Sequence, residues 1–401
     1  MSYQRRFPIN KFVKYRKCIA AMAHIYWLGF KYSLRQLFVD VPAAQALLFW
    51  NWPRLLGISR PKVVPHQLNL DPKEWKEHSS LLRENPSTEN GEKPAKKVAV
   101  VTGGAGTIGL AIIDLLKSLN FTVVAVGKRK PANFSEKCKK TGQENDGCIF
   151  VECDLADLKQ VTVVGNEIRN NFSHVDVLVC AAGVMLHPNC NDHFPDTIEP
   201  HVAVNLLSHV QLFKCLRPAL EASPFVHPRA VFVSSATAFA GNVDEFLGPD
   251  AASKELWCRE MLGHKSYADS KLLISLYVRY LAEIGLSNSN GTGEPSKILV
   301  GSMHPGVIAT LIYRYVFPPY RFLINVVLAP FLRSPQRGAA NVLSLVFDDR
   351  MKNGAYYENG QPVELTKMKL GILPTPFTSN ELKTLADGID TAIQREINTL
   401  D

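Results

Sequence analysis

The stretch Val98-Ala99-Val100-Val101-Thr102-Gly103-Gly104-Ala105-Gly106-Thr107-Ile108-Gly109 constrains this chain most, because an apolar run passes through a glycine-rich turn straight into a helical pattern. The run before Thr102 reads as a buried parallel strand, and from Ile108 to Leu119 the residues Ile112, Leu115, Leu116 and Leu119 recur at helical spacing. Small residues let the backbone come close to a ligand. The free N–H groups and positive dipole at a helix start favour an anionic one. With the apolar run Phe121 to Val126 beyond, Thr102, Gly103, Gly104, Gly106, Thr107, Ile108 and Gly109 form a candidate cradle for a dinucleotide pyrophosphate. An ordinary glycine turn between strand and helix is the competing reading.

The same alternation continues along the chain. Val98 to Thr102, Thr122 to Val126, Ile149 to Cys153, Val175 to Cys180, Ala230 to Ser234 and Ile298 to Met303 are short apolar runs separated by helical patterns. That order predicts an α/β fold, a Rossmann-like doubly wound parallel sheet with its ligand crevice at the carboxyl ends of the strands. At 401 residues the chain exceeds one such domain. The expected organisation is a membrane-associated helical segment over residues 1–60, a charged linker over 61–96 and the sheet domain over 97–401.

The charge supports an appendage. Lys+Arg 45 against Asp+Glu 37 gives +8, and Arg5, Arg6, Lys11, Lys14, Arg16 and Lys17 cluster ahead of the first apolar stretch. Such a cluster suits an anionic membrane face or is simply a solvated tail. Nucleic acid is not expected as a partner, because no basic and aromatic stripe accompanies it in the sheet region. Cys18 to Phe30 is too short to cross a bilayer, and Val41 to Ile58 carries Pro42 and Pro53. Helices lying in the interface, with Trp27, Trp50 and Trp52 at headgroup depth, or an amphipathic extension packed on the domain both fit. The eight cysteines lack paired zinc spacing and read as reduced core residues in a cytosolic setting, with no metal expected. Four Asn-x-Ser/Thr patterns, at Asn120, Asn133, Asn171 and Asn290, matter only if the region meets a secretory lumen.

Two further places carry chemistry. The second predicted strand runs into Lys128-Arg129-Lys130, where a chain preferring NAD offers an acid to the ribose; Lys128 and Arg129 either pair with a 2′-phosphate, favouring NADP over NAD, or form an exposed basic turn. After the third strand, Asp154, followed by Leu155, either accepts from an adenine amino group or caps the next helix. Tyr267 and Lys271 stand one helical turn apart on one face, downstream of a strand that ends in Ser234-Ser235. A phenol titrates near 10, so acid–base work near neutral pH needs a neighbouring cation, which Lys271 supplies.

With these residues in place, the chain resembles the short-chain dehydrogenase/reductase family from Lys97 to about Asn359. The resemblance implies an acid/base Tyr267, a ribose-binding and pKa-lowering Lys271, a substrate-orienting Ser235 and a water-relay Asn205. It further implies that Ala182, Gly183, Pro305, Gly306 and Thr310 line the cofactor. Two departures stand out: Thr107 occupies a place where most members have glycine, and Cys180-Ala181-Ala182-Gly183 replaces the usual Asn-Asn-Ala-Gly. The insert Gly241 to Lys265 lengthens the spacing from Ser235 to Tyr267, as in members acting on polyprenols and retinol.

Leu311 to Leu332 is apolar and aromatic, with Tyr313, Tyr315, Phe317, Tyr320, Phe322 and Phe331 interrupted by Pro318-Pro319. In the family this region forms the substrate lid; a plain buried helix pair is the other reading. The implied function is a nicotinamide-dependent oxidation of a lipophilic alcohol, or reduction of its aldehyde or ketone, of polyprenol or dolichol type, with retinol or a steroid as the alternative. The expected site of action is an endoplasmic reticulum or lipid-droplet surface, with the sheet domain facing the cytosol. A catalytically idle dinucleotide-binding scaffold is the alternative from another class.

Overall fold

In the computed structural model, residues 71–83, 96–132, 134, 147–185, 198–258, 263–287, 295–316, 318–322, 325–326, 332–367 and 375–399 are described. Strands β1 (Lys97–Thr102), β2 (Phe121–Gly127), β3 (Cys148–Glu152), β4 (Val177–Cys180), β5 (Arg229–Val233), β6 (Leu299–His304), β7 (Tyr356–Glu358) and β8 (Gln361–Val363) form one sheet in the order β3-β2-β1-β4-β5-β6-β7-β8. All neighbours are parallel except β7 and β8, which make an antiparallel edge hairpin. The order reverses direction between β1 and β4, which opens a crevice above their carboxyl ends.

Alternation along each strand divides the core into two layers. Ala99, Val101, Val123, Ala125, Val177, Val179 and Val231 face α1 (Thr107–Ser118) and, from near the C-terminus, the helix Pro335–Phe347. Val98, Val100, Val124, Leu178, Ala230 and Phe232 face α2 (Leu158–Asn171), α3 (Ser208–Glu221) and α4 (Gly263–Tyr280). We call the Pro335–Phe347 helix α5 and the final helix, Ser379–Asn398, α6. A reciprocal capping box between Thr378 and Glu381 starts α6, whose Leu382, Leu385, Ile389 and Ile393 join the second layer.

One stretch expected within a linker is packed structure. Trp75 and Leu81, on short helical turns at Trp75–His78 and Ser80–Arg83, are buried in the first layer, with the Trp75 ring 5.0 Å from that of Phe347. Ser80 donates its N–H (2.6 Å) and hydroxyl (3.1 Å) to Asp349, which also receives Arg229 Nη2 at 2.9 Å. These partners lie hundreds of positions away, so composition alone hides them. Residues 1–60, with their basic cluster and tryptophans, lie outside the described residues, as do Asn133, Phe317, Phe331 and Asn290. Among the described residues no helix is long and apolar enough to cross a membrane.

Candidate active site

The glycine turn takes the form the cradle reading requires. Gly103 has φ +69°, and a Cβ there would lie 2.9 Å from Ala182 Cα; one at Gly109 would lie 2.2 Å from Gly103 O. Gly106 caps α1 without offering a side chain to its first-turn N–H groups, and it is exposed. That leaves backbone donors at Thr107, Ile108 and Gly109 available to an anion, which fits a pyrophosphate. Gly104 N–H donates to Val126 O at 3.2 Å, tying the turn to the end of β2.

Thr102 links this turn to the neighbouring strand. Its hydroxyl oxygen accepts from Ala182 N–H at 3.1 Å and lies 3.0 Å from His209 Nε2. His209 Nδ1 is 3.4 Å from the Asn205 carbonyl, an acceptor only, so Nδ1 carries the proton and Nε2 accepts from Thr102. Burial, with Lys271 nearby, pushes the His209 pKa down to about 3 and keeps the ring neutral. This backbone bond secures the turn where the Cys180-Ala181-Ala182-Gly183 sequence lacks side-chain amides.

Four of the expected site residues converge at the carboxyl edge. Ser235, just past β5, hydrogen-bonds the Tyr267 phenol. Lys271 Nζ lies 5.9 Å from the Tyr267 ring centroid and donates to Val233 O at 2.8 Å. A Cβ on Gly183 would sit 3.3 Å from Asn205 Oδ1 and 3.5 Å from Lys271 Nζ, so only glycine leaves that space open. Asn205 lies in a π-helical turn, Ala203–Leu207, that interrupts the approach to α3. Its amide accepts from Val184 N–H (2.9 Å) and donates to Val184 O and Ser270 Oγ (each 3.0 Å).

Burial sets the electrostatics. Desolvation pushes Tyr267 up to about 12, opposed by its bond to Ser235, and pushes Lys271 down to about 8. The phenol therefore needs further positive charge to ionise near neutrality, while the amine is poised to gain or lose a proton. Burial also pushes the Cys180 thiol up, next to Lys271, so it is inert at neutral pH.

Several supporting residues were not anticipated. Ser234 donates to the Lys271 carbonyl at 2.7 Å and fixes α4 against the end of β5, while Ser275, one turn further along α4, donates to the same carbonyl at 2.9 Å. Glu199 accepts from His201 and Val202 N–H, at 2.8 and 2.9 Å, and its other oxygen is 2.6 Å from His201 Nδ1. The His201 ring then meets the Tyr267 ring edge-on, centroids 6.4 Å apart. Asp269, within the Tyr267 to Lys271 turn, accepts from Asn242 N–H, anchoring the start of the insert to α4, and pairs with Lys265 one turn earlier in the same helix. The close Glu199 and His201 spacing and the Asn205 to His209 helical step were visible signals, without a local reason to read them as chemistry.

The remaining cofactor candidates occupy the same edge with different partners. Lys128 pairs with Asp154 at 2.5 Å, both partly exposed, and Arg129 is exposed. The helix cap expected of Asp154 belongs to Asp157, which accepts from Gln160 N–H at 3.0 Å; Asp154 instead accepts from Ala156 N–H, and Leu155 is buried. Pro305 and Gly306 follow β6. Gly306 has φ +98°, and a Cβ there would meet the Arg333 side chain at 2.8 Å. Thr310 caps the 3-10 turn Leu311–Tyr315, accepting from Ile312 N–H at 3.3 Å. In that turn Leu311 and Tyr315, and beyond it Phe322 and Val326, are exposed, so the described part of this region is not a buried helix pair.

The short chain dehydrogenase family pattern matches residues 97–254. Polyprenol dehydrogenase of Mus musculus is 30% identical over 249 residues, spanning 61% of this chain and 69% of its own. Polyprenol dehydrogenase of Danio rerio is 29% identical over 275 residues, spanning 67% and 80%. Retinol dehydrogenase 14 of Mus musculus is 28% identical over 286 residues, spanning 67% and 79%.

Proposed function

This chain belongs to the short-chain dehydrogenase family, and from that membership and the site it builds we propose that it interconverts a lipophilic alcohol and its aldehyde or ketone with a nicotinamide dinucleotide, NADP ahead of NAD. The observation that carries the reading is the buried Ser235, Tyr267, Lys271 and Asn205 constellation beside an open glycine turn. The nicotinamide supplies or takes the hydride at the reacting carbon. The chain's residues do the rest. Tyr267 takes the hydroxyl proton in oxidation and returns it in reduction, while Ser235 holds the substrate oxygen beside it. Lys271 is fixed by the Val233 carbonyl beside the Tyr267 ring, where its charge together with that of a bound oxidised nicotinamide would favour the phenolate, and Asn205 holds the strand-end turn against α4.

The substrate class rests on relatives that act on polyprenol and retinol and on the apolar region after Thr310. A long isoprenoid gains about 0.8 kcal/mol for each methylene-equivalent it buries, so such a region favours chain length. Retinol is the second reading. NADP is favoured by Lys128 and Arg129, with no acid at the end of β2. A membrane surface, of endoplasmic reticulum or lipid droplet, is where such a substrate resides. The test is turnover of the whole chain in detergent with an isoprenoid alcohol series. Catalytic efficiency rising with chain length is the expected result; a flat profile, or a sharp optimum for a rigid steroid, overturns the polyprenoid reading.

A further inference from the structure

We propose that the segment after Thr310, through its described residues Leu311, Arg314, Tyr315, Arg321, Phe322 and Val326, is a lipid-contacting surface that seats on a bilayer containing anionic lipids. Seven large apolar side chains are prominently exposed among the described residues, and four are in this one segment: Leu311 at 72%, Phe322 at 60%, Val326 at 55% and Tyr315 at 43%. The other three, Ile149, Val163 and Val226, come from β3, α2 and the connection before β5. Exposed large apolar groups scattered singly are ordinary, whereas four on one short segment mark a contact surface.

Charge decides which surface. The sequence has no Asp or Glu between Glu294 and Asp348. Within the segment, Arg314 Nη1 donates to Leu311 O at 3.2 Å and its guanidinium lies 4.8 Å from the Tyr315 ring centroid, while Arg321 Nη1 donates to Arg314 O at 2.9 Å. Each guanidinium keeps further N–H donors beyond these backbone bonds. Phosphate oxygens of lipid headgroups match those donors, and the neighbouring Leu, Phe and Val side chains match the acyl boundary. Aromatic and arginine side chains interleaved with apolar ones, without acids, are the composition of an interfacial segment.

The inference rests on the lipophilic-substrate reading in one respect. The segment begins past the carboxyl end of β6, whose neighbour β5 leads into Ser235, so seating it on a bilayer would let a membrane-held alcohol approach Tyr267. Hydrogen exchange on the whole chain tests it, using vesicles of phosphatidylcholine alone and of phosphatidylcholine with phosphatidylserine in equal parts. Amides of residues 311–322 should gain protection on the mixed vesicles, while those beside Val226 exchange as in solution. Arg314→Gln with Arg321→Gln should lower mixed-vesicle affinity about 30-fold, as expected for two cations at an anionic surface. Leu311→Ser with Phe322→Ser should remove the protection; these side chains are exposed, so the fold tolerates the change. Vesicle-bound chain whose 311–322 amides exchange as in solution, or no vesicle binding, overturns the proposal. Turnover in detergent micelles is read separately: loss of turnover with protection retained sinks the substrate reading alone, and turnover without protection sinks the surface alone.

Discussion

Around β5 and α4 the polar groups are buried and held by the protein itself: Ser235 bonds Tyr267, the Val233 carbonyl holds Lys271, and Asn205 spans Val184 and Ser270. At the ends of β2 and β3 the polar groups are exposed, and Lys128 and Asp154 satisfy each other. Proton transfer needs one geometry at the reacting atoms, which burial and a full set of hydrogen bonds enforce. Cofactor discrimination needs groups that can exchange a partner, which surface ion pairs allow at little cost. The two halves should therefore answer mutation differently.

The largest effect belongs to the buried half. Tyr267→Phe should lower turnover about 10²-fold or more while leaving dinucleotide affinity nearly unchanged, measured by steady-state kinetics and nicotinamide fluorescence. On the proposed reading, in which Lys271 serves both Tyr267 and the ribose, Lys271→Met should lower both. Unchanged turnover in Tyr267→Phe would erase the contrast.

The exposed half should show the opposite division. Lys128→Ala with Arg129→Ala should narrow the preference for NADP over NAD by about 1–3 kcal/mol, with turnover at saturating cofactor retained. Because Lys128 is already paired, Asp154→Asn should release it toward a 2′-phosphate and widen that preference. Titrations with both dinucleotides decide this, and equal affinities in the unaltered chain would contradict it.

A third effect separates the halves by pH. His209 and His304 are buried, and desolvation pushes each down to about 3 from the 6.5 of a free imidazole. Between those values the unfolded chain binds protons that the folded chain refuses, so stability is complete above 6.5 and declines as pH falls toward about 3. The slope should be about 1 kcal/mol per pH unit for each ring, read from urea midpoints. His304 has no ring partner among the described residues, so His304→Leu should remove one ring's share without orphaning a donor. The exposed pair should do least: Asp154→Asn should change stability by less than about 1 kcal/mol at neutral pH.

How far the sequence revealed this site follows from where each signal resides. The glycine turn and the Tyr267 and Lys271 pair were legible because each is a local pattern: a strand running into small residues, and two groups one helical turn apart. The parallel sheet followed from the alternation, with strand ends shifted by a residue or two, whereas the three-residue strands of the β7 and β8 hairpin are too short to carry a periodic signal. The Thr102 to His209 contact, the Ser234 bond to α4, and the docking of Trp75 and Ser80 depend on tertiary contacts that no spacing encodes. Asp154 and Asp157 are both plausible caps by residue type, and only geometry assigns the cap to Asp157.

The most direct test is a single measurement of nicotinamide absorbance when the whole chain, in detergent with NADP⁺, meets a long-chain isoprenoid alcohol. The account predicts reduced nicotinamide forming in step with the aldehyde, and no such formation with Tyr267→Phe. Dinucleotide binding without product from polyprenol, retinol or steroid alcohols would contradict it and leave the chain a scaffold.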